Sequence, residues 1–393
     1  KGFTVIQAVV LAELDGLNTA NAYGHRPLIN DDPTKPDIRP DATDDYWDHV
    51  DWIVNRAEEL GLFIGMLPTW GDKWNKKWGT GPEIFTVENA RIYGEFLGKR
   101  YRDKPIIWIL GGDRNPDNDQ HLAIIRAMAA GLRMGDQGRH LMTYHPQGGG
   151  NSATWFHSDD WLSFNMFQSG HSQPNIPNYL MTLANYGRKP AKPTLDGEPR
   201  YEDHPINWRP ENGGFDDWDV RQAAYWSMLS GACGHTYGNH NIWQMYEPPR
   251  KPVSSARTPW KTALSQPGAT QMGYMKQLFL RRPYFLLVPD QEIIKGDEGS
   301  AGDHRRAARA EDGSFAVIYL PTGGKIRVVM DRLRGKRLRA SWFDPRKGES
   351  FSSEEVPKVS GWTFEAPTSG RGNDWVLVLD SDESRLAPLT IAK

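Results

Sequence analysis

Along roughly the first 280 residues, hydrophobic positions alternate between two rhythms. The apolar, β-branched run 3–11 (FTVIQAVVL) predicts a strand buried on both faces, and further strands are predicted at 62–70 (LFIGMLPTW), 106–113 (IIWILGGD), 140–145, 161–167 (WLSFNMF), 193–198 and 235–243 (HTYGNHNIW). Between them, apolar residues three and four apart predict helices over 44–60, 87–101, 121–134, 179–186, 218–229 and 270–280. In the first of these, Tyr46, Trp47, Val50, Ile53, Val54, Ala57 and Leu60 share one face, with Asp44 near the N-terminus. Strands alternating with helices imply βα units on a parallel sheet. Seven strands fall one short of a closed (β/α)8 barrel. An open, doubly wound sheet is the alternative, but it collects functional residues at one switch point. Here they stand at the end of nearly every strand. The α/β expectation is therefore a (β/α)8 TIM-type barrel over residues 1–283, lacking its first βα unit.

From about Tyr284 the rhythm changes. Short strands are predicted over 307–310, 315–320, 326–330, 338–343 and 375–379, with turn signals such as Glu311-Asp312-Gly313 and Thr322-Gly323-Gly324 between them. This spacing predicts an antiparallel β-sandwich domain over 284–393.

Composition narrows the picture. Lys and Arg number 47 against 49 Asp and Glu, a balance that argues against nucleic acid or an anionic membrane as main partner. No run of 18 apolar residues is present to span a bilayer. Sixteen tryptophans stand out, a supply suited both to core packing and to stacking on sugar faces. One cysteine, Cys233, excludes an internal disulfide and is expected to be a buried, inert thiol at a helix end. The chain opens at Lys1, which suggests a processed or truncated start.

Two predicted strands end on a carboxylate beside glycine: Gly111-Gly112-Asp113 and Asp196-Gly197-Glu198-Pro199. On opposite sides of a barrel mouth, Asp113 and Glu198 could approach to about 5–6 Å, the carboxylate separation of retaining glycosidases. The plainer reading makes each a helix cap or a partner of Arg114 or Arg200. Other strand ends carry candidate sugar ligands: Trp70, Tyr144, His145, Asn165, Gln168, Tyr237, His240, Asn241 and Trp243. HExxH, CxxC, EF-hand, P-loop and GxSxG patterns are absent, so no metal and no cofactor is expected.

Four motifs carry a resemblance. Phe3-Thr4-Val5-Ile6-Gln7, Asn21-Ala22-Tyr23-Gly24, the stretch from Trp108 to Asn115, and Asp196-Gly197-Glu198-Pro199-Arg200-Tyr201-Glu202 resemble the apiosidase-like glycosidases of glycoside hydrolase family 140. The resemblance implies a (β/α)8 barrel followed by a β-sandwich, with Asp113 as acid/base and Glu198 as nucleophile. It implies release of apiose from a pectic polysaccharide as substrate, and hence a secreted or periplasmic protein. Relatives begin with one further strand and helix, which agrees with the seven strands. A non-catalytic carbohydrate-binding barrel and a metal-dependent hydrolase are the competing expectations.

Overall fold

The computed structural model describes residues 1–41 and 44–389. The chain divides into two compact units, Phe3–Gln168 and Ser169–Lys393, the latter including Lys1–Gly2.

The first unit is built on parallel strands β1 (Val5–Leu11), β2 (Phe63–Thr69), β3 (Ile106–Leu110) and β4 (Met142–Tyr144), hydrogen-bonded in that order. Val5 lies opposite Phe63, Ile64 opposite Ile106, and Trp108 opposite Met142. Helices α1 (Tyr46–Glu59), α2 (Val87–Arg100) and α3 (Asp119–Asp136) connect them. Each starts on a side-chain cap, Asp45, Thr86 and Asn118 respectively, which accepts first-turn amides. The first cap is Asp45, one residue beyond the aspartate singled out by pattern. Helices α2 and α3 touch through Gly94 and Gly98 facing Gly131 and Gly135, where any Cβ would strike the opposite backbone. The apolar sides of sheet and helices merge in one core around Trp47, Tyr93, Trp108 and Leu132. A short helix α4 (Ala153–Phe156) and strand β5 (Asn165–Phe167) complete the unit.

In the second unit, α5 (Asn178–Tyr186), β6 (Thr194–Asp196) and α6 (Asp217–Met228) stand close to their predicted positions. The predicted strand over 235–243 is not formed. Residues His240–Trp243 make a short helix α7, because Asn239 turns its side chain back to accept from the Asn241 amide. A local cap thus outcompetes extended backbone in a segment rich in polar residues. Cys233 is exposed rather than buried, since α6 stops at Met228. Helices α8 (Trp260–Ala263) and α9 (Pro267–Leu280) follow, with Pro267 opening α9.

The chain then forms strands β7 (Leu287–Pro289), β8 (Arg306–Ala310), β9 (Phe315–Leu320), β10 (Gly323–Val328), β11 (Arg337–Asp344), β12 (Glu349–Pro357), β13 (Trp362–Ser369) and β14 (Trp375–Ser381). Six make an antiparallel sheet in the order β12-β11-β14-β9-β8-β7, and β10 pairs with β13. Ile326, Val328 and Phe364 of that pair share a core with Ile318, Leu338 and Leu377 of the larger sheet. Strands β7, β12 and β13 were not expected from pattern, although β13 alternates inward Trp362, Phe364 and Ala366 with outward Thr363 and Glu365. Buried ion pairs Arg221–Asp374 (2.8 Å) and Arg282–Asp380 (2.6 Å) fasten this sheet domain to α6 and to the end of α9. The indoles of Trp218 and Trp226 donate to the carbonyls of Pro321 and His304 across the same contact.

Candidate active site

In the first unit, β3 ends at Leu110 and the chain turns through Gly111, Gly112 and Asp113, whose φ angles are 100°, 78° and 57°. All three lie in the left-handed region. A side chain at Gly111 would strike the His145 carbonyl and one at Gly112 the Gly71 amide, so both need glycine. Asp113 is therefore carried by a turn beyond the strand and not by the strand itself. Asparagine and aspartate tolerate that conformation better than bulkier residues. The turn is tied down by the Trp74 indole donating to Gly111 O (3.1 Å) and the Gly71 amide to Gly112 O (2.9 Å).

Around Asp113 the surroundings are charged. Arg114 Nη1 approaches Asp113 Oδ2 at 3.3 Å, while the Asp113 side chain stays 20% exposed. The guanidinium is itself buried, donates to the Asn75 and Asp113 carbonyls, and lies 4.0 Å beneath the exposed Trp78 ring. Burial pulls the Arg114 pKa down, opposed by the negative charges of Asp113, Asp72 and Glu13. Asp72 pairs in turn with the buried Lys73 at 2.8 Å. A cation this close favours the ionised form of Asp113.

Of the sequence candidates in this unit, His145 accepts from the Asp113 amide (3.3 Å), and half-buried Trp70 lies 6.0 Å from the His145 ring. Tyr144 is wholly buried and its hydroxyl donates to the Arg114 carbonyl, so it holds the loop in place. Asn165 is buried with its Oδ1 3.1 Å from His157 Nδ1 and its amide nitrogen unpartnered. Gln168 is buried with Oε1 likewise unpartnered.

In the second unit, Asp196 ends β6 facing inward, where it accepts from Ser169 and Asn178; burial pushes its pKa up against those bonds. Glu198, two residues on, has its side chain 12% exposed and its Oε1 2.9 Å from His171 Nε2. His171 stacks on His204 (4.2 Å between centroids, 22° between planes) and packs against Tyr201 at 4.6 Å. His204 meets the rings of His240 and Trp208, each at 4.4 Å. Burial, with repulsion from His171 and His240, drives the His204 pKa down to about 2. Burial also lowers that of His240. Trp208 is 48% exposed, and it and Asn207 hold φ angles of 61° and 55°. A bulky residue held left-handed is strained backbone of the kind found at ligand sites.

Here the sequence candidates divide. Trp243 donates to His240 Nδ1 at 3.3 Å, so both belong to the histidine row. Tyr237 instead donates to Glu202 (2.5 Å), a buried carboxylate whose pKa burial raises. Asn241 is spent on Asp203 and the amides of Arg257 and Thr258. His171, His204, Trp208 and Trp78 were missed by sequence reasoning. The available signal was weak: each lies in a Gly-, Pro- or Asn-rich loop, where functional residues concentrate. Among the described residues no three His, Cys, Asp or Glu side chains gather as a metal-binding group, and no helix is long and apolar enough to cross a membrane.

Residues 1–286 match the family described as "Apiosidase-like, catalytic domain", and residues 288–380 match the "Putative collagen-binding domain of a collagenase". A solved structure titled "Glycoside hydrolase" is 34% identical, with 98% of this chain and 87% of that one covered and a TM-score of 0.89. A glycoside hydrolase family 5 structure from Bacteroides vulgatus is 32% identical, with 99% and 84% covered and a TM-score of 0.90. A search of curated proteins gave no match. The parallel strands of the α/β part are thus those of glycoside hydrolases, and an antiparallel sheet domain follows them. A chain that shares this family's catalytic-domain pattern over residues 1–286 is an apiosidase-like glycoside hydrolase, with a C-terminal collagen-binding-like domain.

Proposed function

We propose that this enzyme is a retaining, exo-acting glycosidase that releases a single sugar, apiose, from pectic cell-wall polysaccharide. Glu198 serves as nucleophile and Asp113 as acid/base. The observation that carries the reading is Glu198 itself: a partly exposed carboxylate beyond a strand end, with its Oε1 2.9 Å from the His171 ring nitrogen and the half-exposed Trp208 two rings away. In the first step Glu198 attacks the anomeric carbon and the glycosidic C–O bond breaks as the Asp113 proton passes to the leaving oxygen. Water then attacks the glycosyl–Glu198 ester, giving its proton to Asp113 and freeing the carboxylate. Arg114 favours the ionised form that this second step requires. The first step needs the proton delivered against that pull.

The barrel of this reading is one βα unit short. The edge position of β1 in its sheet, with Val5 37% and Ile6 43% exposed, supports a further strand alongside it. A polymer substrate would place the enzyme outside the cytoplasm, secreted or periplasmic.

The test is product release from a panel of plant polysaccharides that includes rhamnogalacturonan II. A single monosaccharide, formed first in the anomeric configuration of the bond cleaved, is the expected result. Oligosaccharides would overturn exo action, and the opposite anomer would overturn retention.

A further inference from the structure

A nucleophilic carboxylate has to be oriented without being neutralised, and a row of three imidazole rings stands behind Glu198. The proton positions follow from the partners. Glu198, as a nucleophile, is ionised and only accepts, so the hydrogen in the 2.9 Å contact sits on His171 Nε2. His171 Nδ1 is buried and has no hydrogen-bond partner, so a second proton there would be an unsatisfied buried charge. A carbonyl likewise only accepts. The 2.7 Å contact to Pro205 O therefore places the His204 proton on Nδ1, leaving a bare, buried and unpartnered Nε2. His240 gives its Nε2 proton to Ser254 O (2.9 Å) and takes the Trp243 indole proton on Nδ1. Each ring carries one proton, in a fixed place.

We propose that His171 is a positioning residue for Glu198, a one-proton donor whose ring is held by the stacked His204 and whose buried, partnerless Nδ1 offers no place for a second proton. The inference rests on Glu198 as nucleophile. An imidazolium in the same place would hold the carboxylate as an ion pair and blunt its attack. The groups facing His171 are Glu198, Tyr201, His204 and Trp208. His240 lies behind His204, 4.4 Å between ring centroids, and faces the charge of Asp203. Against His171 the contacts are thus one carboxylate and three rings, with no cation among them. The strained Asn207–Trp208 turn secures the arrangement, since the Asn207 amide donates to the His171 carbonyl at 2.8 Å.

The experiment uses the full chain labelled with ¹⁵N-histidine. Two-bond ¹H–¹⁵N spectra at pH 7.5 would be assigned with His171→Gln, His204→Phe and His240→Gln. The expected result is a single proton on Nε2 of His171 and a single proton on Nδ1 of His204. A doubly protonated His171, or its proton on Nδ1, overturns the proposal. Sugar release from rhamnogalacturonan II supplies the second readout. His171→Phe should lower kcat about 10²-fold with KM nearly unchanged, the scale of loss from a misplaced reacting group. His171→Gln, which keeps an N–H donor, should recover part of it. Equal losses in both variants, matched by equal falls in melting temperature, would make His171 merely structural. Turnover retained in Glu198→Ala would sink the nucleophile reading while leaving the proton positions standing, so the two failures are distinct. The spectra decide the proton positions whether or not that polymer is a substrate.

Discussion

Around Asp113 the neighbours are permanent charges: Arg114 at 3.3 Å and, beyond it, the buried Asp72–Lys73 pair. Around Glu198 they are rings: His171, then His204 and His240, with Tyr201 and Trp208 alongside. Both carboxylates follow a strand end, and both have an exposed tryptophan close by. Their surroundings nevertheless suit different tasks. A group that gives up and regains a proton can work against a fixed field that biases its charge. A group that must stay ionised yet reactive is better served by a neutral donor.

The sharpest way to break this comparison is Glu198→Ala. It should lower turnover by on the order of 10⁴-fold, with circular dichroism and melting temperature little changed. Substantial residual activity would remove the ring-lined carboxylate from the chemistry. Asp113→Ala should cost about 10²–10⁴-fold on substrates with poor leaving groups, and far less on an activated aryl glycoside. Equal losses on both would deny Asp113 the acid role.

Arg114→Met tests the charged side. It strips a buried donor from the carbonyls of Asn75, Lys76 and Asp113 and a counter-charge from the Asp113 carboxylate, and should destabilise the protein by about 3 kcal/mol in urea unfolding. The alkaline limb of kcat/KM should also move to higher pH, because the protonated form of Asp113 is no longer opposed. A limb that stays put would show that Arg114 does not bias the proton.

The smallest effect is expected on the neutral side. His204→Phe conserves ring packing and gives up one hydrogen bond, a change of about 1 kcal/mol at pH 7.5. Its signature lies in acid. His204 stays uncharged in the folded protein to about pH 2 but takes a proton near pH 6.5 once unfolded. The unfolded state therefore binds more protons below 6.5, and stability falls as pH drops through that value. For this one group the slope is about 1.4 kcal/mol per pH unit. The His204→Phe protein should lose stability less steeply between pH 6.5 and 5; parallel curves would mean that the ring does charge in place.

Much of the fold could be read from the sequence because it rests on local patterns. The apolar runs at 5–11 and 63–69 and the helical stripe over 46–59 are visible without any knowledge of tertiary contacts. What failed was the segment from His235 to Trp243, where Asn239 decides the backbone by capping a short helix, and strands β12 and β13, the first a mostly polar run (ESFSSEEVP) and the second a short alternation interrupted by a proline. The two candidate carboxylates were singled out by glycine beside an acid at a strand end. Their surroundings were not. His171, His204 and His240 are separated by more than thirty residues at each step, so their stacking exists only once the loops are folded. Tyr144 shows the opposite error: a polar ring at a strand end looked like a sugar ligand, but its hydroxyl is consumed by the Arg114 carbonyl.

The two buried arginine–aspartate pairs have a practical meaning for anyone cutting this gene. The family boundary between residues 286 and 288 invites a catalytic fragment ending there. Such a fragment would keep Arg221 and Arg282 but lose Asp374 and Asp380, and would lay bare a helix whose residues Trp218 through Ser227 are buried in the intact chain. The sheet domain is therefore less a detachable passenger than a lid screwed onto its neighbour. Evolution could shed it only by rewriting α6 at the same time.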